Sequence, residues 1–470
     1  MPNNSFRNAS ETFTIAVVGL GKIGLPLAVQ FAQHGHRVIG CDIDAEVVES
    51  INLGRSHIQE EAELGSEVPR LVYRGLLSAT TDTTAAVQQA NVVVVIVPVG
   101  IDVNHEVDFR AIDDATRAVG MGLRPATLVV YETTLPAGTT AQRLRRTLEQ
   151  TSHLEAGQDF YLAYSPERVS SGSIFHDLRL YPKIVGGIDK ACTEAAVGFY
   201  RSVLDARIIA MASADEAEFV KLIETTYRDV NIALANEYAR YADAHGLSVQ
   251  AAIAAANTQP YSHIHTSGIG VGGHCIPVYP YFLFANPLDR DFYAQANDNY
   301  LLLPRYARRV NDAMAEYAVW RIEAAIGTLN RQSVLILGVA YRGNVRETAF
   351  SSARLLQEAL LERGARVYVD DPLFSSSELS RSGYTPLSAD LEDEIRVIIL
   401  QSNHRAYQEF DFTRFEHCQV VLDGRGVLSR EMIEALGIRY IAIGDGSDQA
   451  RAKAEHSTYS TAGAVPEHRD

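Results

Sequence analysis

The sequence is poor in cysteine and tryptophan and has no long apolar run. Its 470 residues include four cysteines and one tryptophan. Cys41, Cys192, Cys275 and Cys418 are far apart and form no CxxC pair, so they suggest neither a disulfide framework nor a zinc ribbon. The first twelve residues lack an apolar signal core, and no run reaches about 18 apolar residues. We therefore expect a protein of the reducing cytoplasm without a membrane span.

Basic residues are also scarce, with 42 Lys and Arg against 58 Asp and Glu and a net charge of −16. Nucleic acids and membrane surfaces are bound through basic patches, so neither is an expected partner. A small anionic ligand held by local groups is not excluded. The length suggests roughly three domains of about 150 residues each.

The first motif present is a glycine-rich turn between a strand and a helix. The apolar run Phe13–Val18 leads into Gly19, Gly21 and Gly24, a helical pattern comes next, and a second strand pattern ends at Asp42. GxGxxG alone is a weak signal, but this context is that of the dinucleotide fingerprint. Asp42 would bind a ribose hydroxyl and repel a 2′-phosphate, which favours NAD. The alternative is a structural turn that binds no ligand.

Two further apolar runs, at 91–98 and 126–134, are typical of buried parallel strands. Such strands end at the ligand crevice of an open α/β sheet. The crevice candidates are Val97, Pro98, Glu132, Thr133 and Thr134, with ordinary loops as the alternative. The predicted cofactor-binding residues are Gly19, Leu20, Gly21, Lys22, Ile23, Gly24, Asp42, Val97, Pro98 and Thr134.

The middle of the chain carries polar residues of catalytic type. Residues 213–246 have helical periodicity with a cap at each end, and Lys221 and Thr225 lie on one polar stripe that by itself favours a solvent-facing position. Upstream, Glu167 and Arg168 leave another strand as neighbours, and a solvated ion pair is the common explanation of such a pair.

The glycine-rich segment 267–277 contains Cys275. Glycines let backbone approach a ligand, and a loop gives a thiol access that a core site would not. The alternative is a small buried hydrophobe in a tight turn.

From residue 333 a strand–glycine–helix pattern restarts after a predicted helix at 304–328. A helix is predicted at about 349–363, and strands at 365–371, 396–400, 419–423 and 439–443. The fold class is therefore α/β, with two Rossmann-like parallel-sheet domains joined by a long central helix. The predicted domains are 1–212 for NAD, 213–328 for the central helices and catalytic cysteine, and 329–446 for a second nucleotide, with a disordered tail at 447–470.

Two nucleotide-type domains and a loop cysteine indicate an enzyme that holds a cofactor and a nucleotide carrying the group to be oxidised. A thiolate can add to an aldehyde, and the thiohemiacetal can lose a second hydride to become a thioester that water hydrolyses.

The motifs together resemble the UDP-glucose/GDP-mannose dehydrogenases, over about residues 13–446. They are GLGKIGLP at 19–26, YSPER at 164–168, VKLIETTYRDVNIALANE at 220–237, VGGHCIP at 271–277, LGVAYRGNV at 337–345 and DGR at 423–425. His274, the SPERV wording and PKIVGG at 182–187 look more like the branch acting on UDP-N-acetylhexosamines. The resemblance implies oxidation of a nucleotide-sugar C6 alcohol to the uronic acid with two NAD⁺, a homodimer formed through the long helix, and a role in polysaccharide precursor synthesis.

By resemblance, Cys275 is the nucleophile and Lys221 stabilises the oxyanion and aids proton transfer. Glu167 is near the reacting water or substrate, Thr134 near the nicotinamide, and Arg342 at a substrate phosphate. The implied catalytic residues are Cys275, Lys221, Glu167, Thr225 and Thr134. The implied substrate-binding residues are Glu167, Arg168, Lys221, Gly272 and Arg342.

Several positions depart from the family pattern. Thr225 replaces an asparagine, Tyr279 an aspartate, Ala349 and Tyr261 arginines, and Arg342 a lysine. A lost oxyanion donor costs on the order of 10²–10³ in rate, and a lost general base about 10²–10⁴. The departures leave open an impaired second oxidation, impaired thioester hydrolysis or a different sugar.

Four other functions can be weighed against the sequence. His263, His265, His274 and Cys275 are metal-ligand types, but their spacing is no familiar metal frame, and no metal is expected. A short-chain epimerase or dehydratase needs Tyr-x-x-x-Lys, which none of the 22 tyrosines provides. A two-electron dehydrogenase and a non-catalytic nucleotide-sugar binder remain as alternatives.

Overall fold

The computed structural model describes residues 12–169, 172–285 and 300–446. These residues form two compact units. Unit 1 contains residues 12–224 and 281–285, and unit 2 contains residues 225–280 and 300–446. The predicted tail at 447–470 lies outside the described residues. Within the described ranges, no helix has the length and apolar character needed to cross a lipid bilayer.

Unit 1 is built on an eight-stranded sheet of order β10-β9-β8-β7-β4-β1-β2-β3. Neighbouring strands are parallel except at β8–β9, which is antiparallel. Its central strands are apolar runs because helices cover both faces. The strands are β1 (Thr14–Val18), β2 (Arg37–Cys41), β3 (Leu77–Thr80), β4 (Val92–Val95), the hairpin β5 (Gly100–Ile101) and β6 (Val107–Asp108), β7 (Leu128–Tyr131), β8 (Tyr161–Tyr164), β9 (Lys183–Gly187) and β10 (Ile208–Ala210).

The helices of unit 1 alternate with these strands, as an α/β fold requires. A π-helical turn at Thr139–Leu144 leads into the sixth of them. They are α1 (Gly24–Gln33), α2 (Ala45–Asn52), α3 (Leu64–Tyr73), α4 (Thr83–Val87), α5 (Arg110–Gly122), α6 (Arg145–Ser152), α7 (Ile174–Leu180) and α8 (Lys190–Val203).

The long helix α9 (Ala214–His245) contributes residues to both units. Its predicted ends are confirmed. The Ser213 hydroxyl accepts the Glu216 N–H at 3.1 Å, and Gly246 comes after the last turn with φ of 70°. A hydroxyl cap and a left-handed glycine satisfy the backbone groups that a helix end leaves unpaired.

The apolar face that the periodicity of α9 predicts is buried only in part: Leu222 is fully buried. Phe219, Ile223, Leu234 and Tyr238 follow the apolar periodicity, yet each is exposed by 43–48%. Thr225, assigned to the polar stripe, is only 6% exposed. The apolar pattern identifies a helix but not which of its faces the same chain covers.

Unit 2 is built on a parallel sheet of order β12-β11-β13-β14-β15. Alternate residues of β11 serve opposite faces, because side chains alternate along a strand. Val334 and Ile336 belong to one apolar cluster, and Leu335 and Leu337 to another. The strands are β11 (Ser333–Leu337), β12 (Arg366–Asp370), β13 (Ile395–Leu400), β14 (Val420–Asp423) and β15 (Arg439–Ala442).

The remaining helices come after α9 along the chain. The single helix predicted at 304–328 is two helices, because Ala313 adopts φ −73° and ψ −9°, away from helical ψ, between them. They are α10 (Val249–Ala256), α11 (Tyr279–Phe284), α12 (Leu302–Asp312), α13 (Met314–Ile326), α14 (Ser352–Glu362), α15 (Ser376–Arg381) and α16 (Arg430–Ala435), with 3₁₀ turns at Ala389–Glu394, Arg405–Glu409 and Phe412–Arg414.

Candidate active site

The three glycines of the turn after β1 serve two different purposes. Gly19 has φ of 95°, and a Cβ there would lie 3.0 Å from the Ile96 carbonyl oxygen. A Cβ on Gly24 would overlap the Gly19 carbonyl oxygen. Gly21 is exposed, and nothing lies within 4 Å of the position its Cβ would take. The first and third glycines are needed for packing, and the second leaves the backbone open to a ligand.

Asp42 closes this turn from the end of β2. Its Oδ2 accepts the Leu20 N–H at 2.8 Å and its Oδ1 accepts the Asp44 N–H at 3.0 Å, while the side chain stays half-buried. Lys22 is exposed and Ile23 half-buried, immediately before α1 begins at Gly24. The open N–H groups of a helix start suit a pyrophosphate, and the carboxylate suits a ribose hydroxyl. The residues present therefore fit a dinucleotide.

The other predicted cofactor residues lie just beyond β4 and β7, which are adjacent strands. The Val97 N–H lies 3.2 Å from the position that a Cβ on Gly19 would take, so Val97 borders the turn. Pro98 is exposed beyond it. Thr134 lies past the end of β7 and is 5% exposed.

Glu218 ties the loop after Thr134 to α9. Its carboxylate accepts the N–H groups of Gly138 and Thr140 at 2.6 and 2.9 Å, and the Thr140 hydroxyl at 2.7 Å. Burial raises the pKa of Glu218 to about 8, although these hydrogen bonds oppose the rise. Lys221 lies about one turn further along the same helix and is half-buried. Glu218 was not predicted from the sequence, because nothing local distinguishes it from other helical glutamates.

Glu167 belongs to a buried cluster of ionisable groups. Lys183 Nζ lies 3.1 Å from Glu167 Oε2 and 2.6 Å from Glu132 Oε2, and the Tyr200 hydroxyl donates to Glu132 Oε1 at 2.5 Å. Glu132 was predicted as a crevice residue, whereas Lys183 and Tyr200 were not singled out. A lysine opening the apolar run at 183–187 was the available signal, since a buried lysine needs an acidic partner.

Glu167 and Arg168 do not form the solvated ion pair that is the common alternative explanation for such neighbours. Arg168 Nε donates to Glu224 Oε2 at 3.0 Å, and a second guanidinium nitrogen donates to the Pro182 carbonyl oxygen at 3.1 Å. Adjacent residues leaving a strand point in different directions, so each finds a partner from another element.

In unit 2, the thiol of Cys275 differs from the other three. Cys275 is partly exposed, whereas Cys41, Cys192 and Cys418 are buried. Burial raises the pKa of each buried thiol to about 12, which makes the thiolate scarce at neutral pH. Cys41 ends one strand pattern of the sequence and Cys418 precedes another, and their burial confirms the packing roles that these positions predict.

The cysteine loop packs on the segment after β11. A Cβ on Gly272 would lie 2.6 Å from Tyr341 Cβ, and one on Gly273 would lie 3.0 Å from the Tyr341 ring. The Gly273 N–H donates to the Ala349 carbonyl oxygen at 2.8 Å. Arg342, next in the chain, is exposed, with its guanidinium 5.9 Å from the Tyr341 ring centroid. Unit 2 thus brings the cysteine loop and the Arg342 turn together.

A chain of side-chain amides holds the start of the cysteine loop. Asn236 Oδ1 accepts the Gly268 N–H at 2.9 Å, Asn236 Nδ2 donates to Asn311 Oδ1 at 2.9 Å, and Asn311 Nδ2 donates to Asp229 Oδ1 at 2.8 Å. All three side chains are fully buried. The loop is therefore fixed by α9 and α12, a link that was not predicted from the sequence.

The predicted residues are divided between the two units. Gly19–Gly24, Asp42, Val97, Pro98, Thr134, Glu167, Arg168 and Lys221 belong to unit 1, and Thr225, Gly272, Cys275 and Arg342 belong to unit 2.

Three family models match consecutive segments of the chain. They describe the NAD binding domain (residues 13–204), the central domain (215–300) and the UDP binding domain (335–430) of the UDP-glucose/GDP-mannose dehydrogenase family. Together they cover most of the sequence.

Individual relatives match over nearly their whole length. The chain is 34% identical to a UDP-N-acetyl-D-mannosamine dehydrogenase of Pyrococcus horikoshii, covering 92% of this chain and 99% of the relative. It is 33% identical to an NDP-N-acetyl-D-galactosaminuronic acid dehydrogenase of Ralstonia nicotianae, covering 90% and 98%.

Solved structures agree with these matches. The Pyrococcus horikoshii UDP-D-ManNAc dehydrogenase has a TM-score of 0.82 at 33% identity over 92% of this chain and 99% of that one. The NDP-N-acetyl-D-galactosaminuronic acid dehydrogenase of Methanosarcina mazei has a TM-score of 0.79 at 28% identity, covering 93% and 96%. The chain belongs to the UDP-glucose/GDP-mannose dehydrogenase family and is an NAD-dependent oxidoreductase acting on a nucleotide sugar.

Proposed function

We propose that the chain oxidises the C6 alcohol of a UDP-N-acetylhexosamine to the uronic acid, reducing two NAD⁺. The observation that carries this proposal is the name shared by its relatives, several of which are UDP-N-acetyl-D-mannosamine dehydrogenases at 31–34% identity. The cysteine loop and SPERV motif, already assigned to this branch from the sequence, support it. The product would be a precursor for polysaccharide synthesis.

NAD⁺ supplies the chemistry of hydride acceptance. Loss of a proton from the C6 hydroxyl and of a hydride from C6 gives the aldehyde. The Cys275 thiolate adds to this carbonyl, the thiohemiacetal loses the second hydride, and the resulting thioester is cleaved by water to a carboxylate and free thiolate. Lys221 and Thr225 would stabilise the oxyanion, Glu167 would act near the water, and Thr134 would border the nicotinamide.

We propose that the nucleotide end of the substrate binds at the edge of the unit 2 sheet, beside Arg342. Ser352 Oγ, Gln401 Oε1 and Ser402 Oγ are buried there without a hydrogen-bond partner in the described parts of the chain. Buried polar atoms are normally satisfied, so these three suit the polar groups of a nucleotide. Arg342, with Arg168 and Gly272, would complete substrate binding.

A homodimer through α9 is also part of the proposal. Tyr227, Leu234, Tyr238 and Tyr241 follow one another along the unit 2 part of the helix, each exposed by 43–61%. An apolar stripe of this kind on a helix suits burial against a second copy. Four free thiols suit a cytoplasmic protein. We also propose an NAD-binding domain at 1–212, a central helical domain with the dimer interface and the catalytic cysteine at 213–328, and a UDP-sugar-binding domain at 329–446.

A substrate screen tests the function. The purified protein is incubated with NAD⁺ and the UDP-linked N-acetylglucosamine, N-acetylmannosamine, N-acetylgalactosamine and glucose. We expect about two NADH per N-acetylhexosamine consumed. Activity with UDP-glucose alone would contradict the substrate class, and one NADH per substrate would identify a two-electron dehydrogenase.

Replacing the nucleophile tests the mechanism. Cys275→Ser should lower kcat for uronic acid formation by at least about 10³-fold, because removing a nucleophile removes the covalent route. Iodoacetamide should modify Cys275 in the wild type and spare the three buried thiols, with substrate giving protection. Near-normal uronic acid formation by Cys275→Ser would exclude the thioester mechanism.

A further inference from the structure

The acid–lysine cluster of unit 1 is formed by Glu132, Glu167, Lys183 and Tyr200. Glu132 lies just after β7, Glu167 lies beyond β8, Lys183 opens β9 and Tyr200 lies on α8. The exposed fraction of the side chain is 0% for Glu132, 6% for Lys183 and 12% for Glu167. Four separate elements thus deliver two acids, one base and one hydroxyl to a buried site.

The charges of this cluster do not balance. In the portion of unit 1 that the structure describes, Lys183 is the one basic side chain paired with either carboxylate. Arg168, the nearest alternative in sequence, is paired with Glu224. Two ionised carboxylates would leave a net negative charge in a low-dielectric site, so one carboxyl tends to keep a proton.

The hydrogen bonds indicate which carboxyl keeps it. Glu167 Oε1 accepts the backbone N–H groups of Arg168 and Val169 at 2.6 and 3.0 Å. Burial alone would raise the pKa of Glu167, but Lys183 and these N–H groups lower it below its ordinary value. Burial raises the pKa of Glu132 to about 7, with Lys183 opposing the rise and the Glu167 charge adding to it.

The two acids also differ in access. Glu167 and Lys183 line a surface pocket with Arg168, Asp177 and Tyr181, whereas Glu132 is sealed behind them. Glu167 is therefore the outer carboxylate and is held by fixed backbone N–H donors. Glu132 is the inner carboxyl, which gains or loses the proton.

We propose that Glu132 is a positioning residue that stores a proton behind Glu167, and that Lys183 shifts its charge between the two carboxylates as that proton leaves or returns. Ionised Glu132 draws the ammonium toward itself and adds negative charge, which strengthens Glu167 as a base. Protonated Glu132 leaves the ammonium to Glu167, which weakens it. The catalytic consequence rests on the proposed function, in which Glu167 acts near the reacting group. The proton storage does not.

Proton storage is tested by carbon-13 NMR of protein labelled at glutamate Cδ. The wild type should show a carboxyl titrating within about one pH unit of 7, and Glu132→Gln should remove that signal. Glu218→Gln is the matched control, because Glu218 is another fully buried glutamate with pKa raised to about 8, and it should remove a different signal. A spectrum without a Glu132-dependent titration in this range overturns proton storage even in a chain with no enzymatic activity.

The catalytic consequence is tested by the pH profile of kcat. In the wild type kcat should rise through the Glu132 titration. In Glu132→Gln this inflection should be lost, with kcat at pH 8 falling by up to about tenfold, the effect of one pKa unit on a proton transfer. A purely structural role would lower stability and leave the inflection in place, and that result overturns the link to Glu167.

If Glu132→Gln fails to fold, Tyr200→Phe is the second variant for the same test. This substitution removes one hydroxyl and keeps the aromatic ring. Losing the donor to Glu132 Oε1 should move the Glu132 titration to higher pH by up to about one unit. The kcat inflection should move with it. An unmoved titration, or an inflection that stays behind, overturns the proposal.

Discussion

Two turns, one in each unit, share a backbone plan. Gly19 comes after β1 with φ of 95°, and Gly338 comes after β11 with φ of 90°. In both turns an aspartate from the end of the next strand, Asp42 or Asp371, accepts the N–H of the residue after the glycine at 2.8 Å. The strand–glycine pattern found twice in the sequence is therefore found twice in the backbone, each time with an aspartate from the next strand.

The turns differ in how soon a helix begins after the glycine. Helix α1 begins at Gly24, five residues on, whereas α14 begins at Ser352, fourteen residues after Gly338. Asp42 is half-buried, but Asp371 is 3% exposed and lies 3.2 Å from His404 Nε2. A pyrophosphate needs a helix start directly at the turn. The half-buried Asp42 remains accessible, as its proposed role in binding a ribose requires, whereas Asp371 is enclosed and bonded within the fold.

Replacing glycine by alanine in each turn should give the largest difference between the effects on NAD⁺ binding and on UDP binding. A Cβ on Gly24 overlaps backbone, so Gly24→Ala should weaken NAD⁺ binding by about 100-fold or more. Gly338→Ala, which overlaps the Ser402 side chain at positive φ, should weaken UDP binding and leave NAD⁺ affinity within about twofold. Calorimetric titration of each variant with NAD⁺ and with UDP measures both. Unchanged NAD⁺ affinity in Gly24→Ala would remove the first turn from the cofactor site.

Neutralising Asp42 should change cofactor binding, whereas neutralising Asp371 should change the stability of the fold. Asp42→Asn should raise KM for NAD⁺ by about tenfold, because the variant loses a hydrogen bond to a charged group. It should also reduce the preference of the enzyme for NAD⁺ over NADP⁺. Asp371→Asn should leave cofactor preference unchanged and cost about 2–3 kcal/mol of unfolding free energy, because a buried paired carboxylate is lost. If Asp371→Asn altered cofactor preference, the division between the turns would fail.

The stability effect at Asp371 should depend on pH in one direction. Burial alone would raise the pKa of Asp371, but His404 and backbone N–H groups outweigh it and hold the pKa below its ordinary value. A carboxyl with a lower pKa in the folded state stabilises it above the unfolded pKa of about 3.9 and loses that contribution as pH falls through the folded value. Urea unfolding should show the Asp371→Asn penalty at pH 7 and a smaller one below about pH 4.

Local signals were enough to predict the five strands of unit 2, strands β1, β2, β4, β7 and β8 of unit 1, both glycine turns and the ends of α9, whereas β3, β5, β6, β9 and β10 were not predicted. Each predicted feature depends on residues close in sequence, such as Ser213 and Gly246 at the helix ends. The exposed face of α9 was not predictable, because apolar spacing does not say whether the same chain or another copy covers it. The antiparallel step at β9 also lacks a local signal, since a buried strand has the same apolar pattern in either direction.

Candidate site residues could be proposed from the sequence where they belong to a motif. They could not be proposed where their partners lie far away in the sequence. Lys183 meets Glu132 from 51 residues away, and Glu218 meets Thr140 from 78. No spacing rule joins such pairs, so only the fold reveals that they share a site. The departure at Thr225 was visible in sequence, whereas its burial was not.

The smallest effect should come from substituting Arg342, a residue of the second turn that replaces the lysine usual in the family. Its side chain is exposed, so either cation can reach a phosphate through water-accessible space. Arg342→Lys should therefore change KM for the nucleotide sugar by no more than about threefold. Arg342→Ala, which removes the charge, should raise that KM by about tenfold and leave KM for NAD⁺ unchanged, with the difference shrinking at high salt because a solvent-accessible charge is screened. An equal rise in both KM values would place Arg342 outside the substrate site and leave the second turn without an anion-binding role.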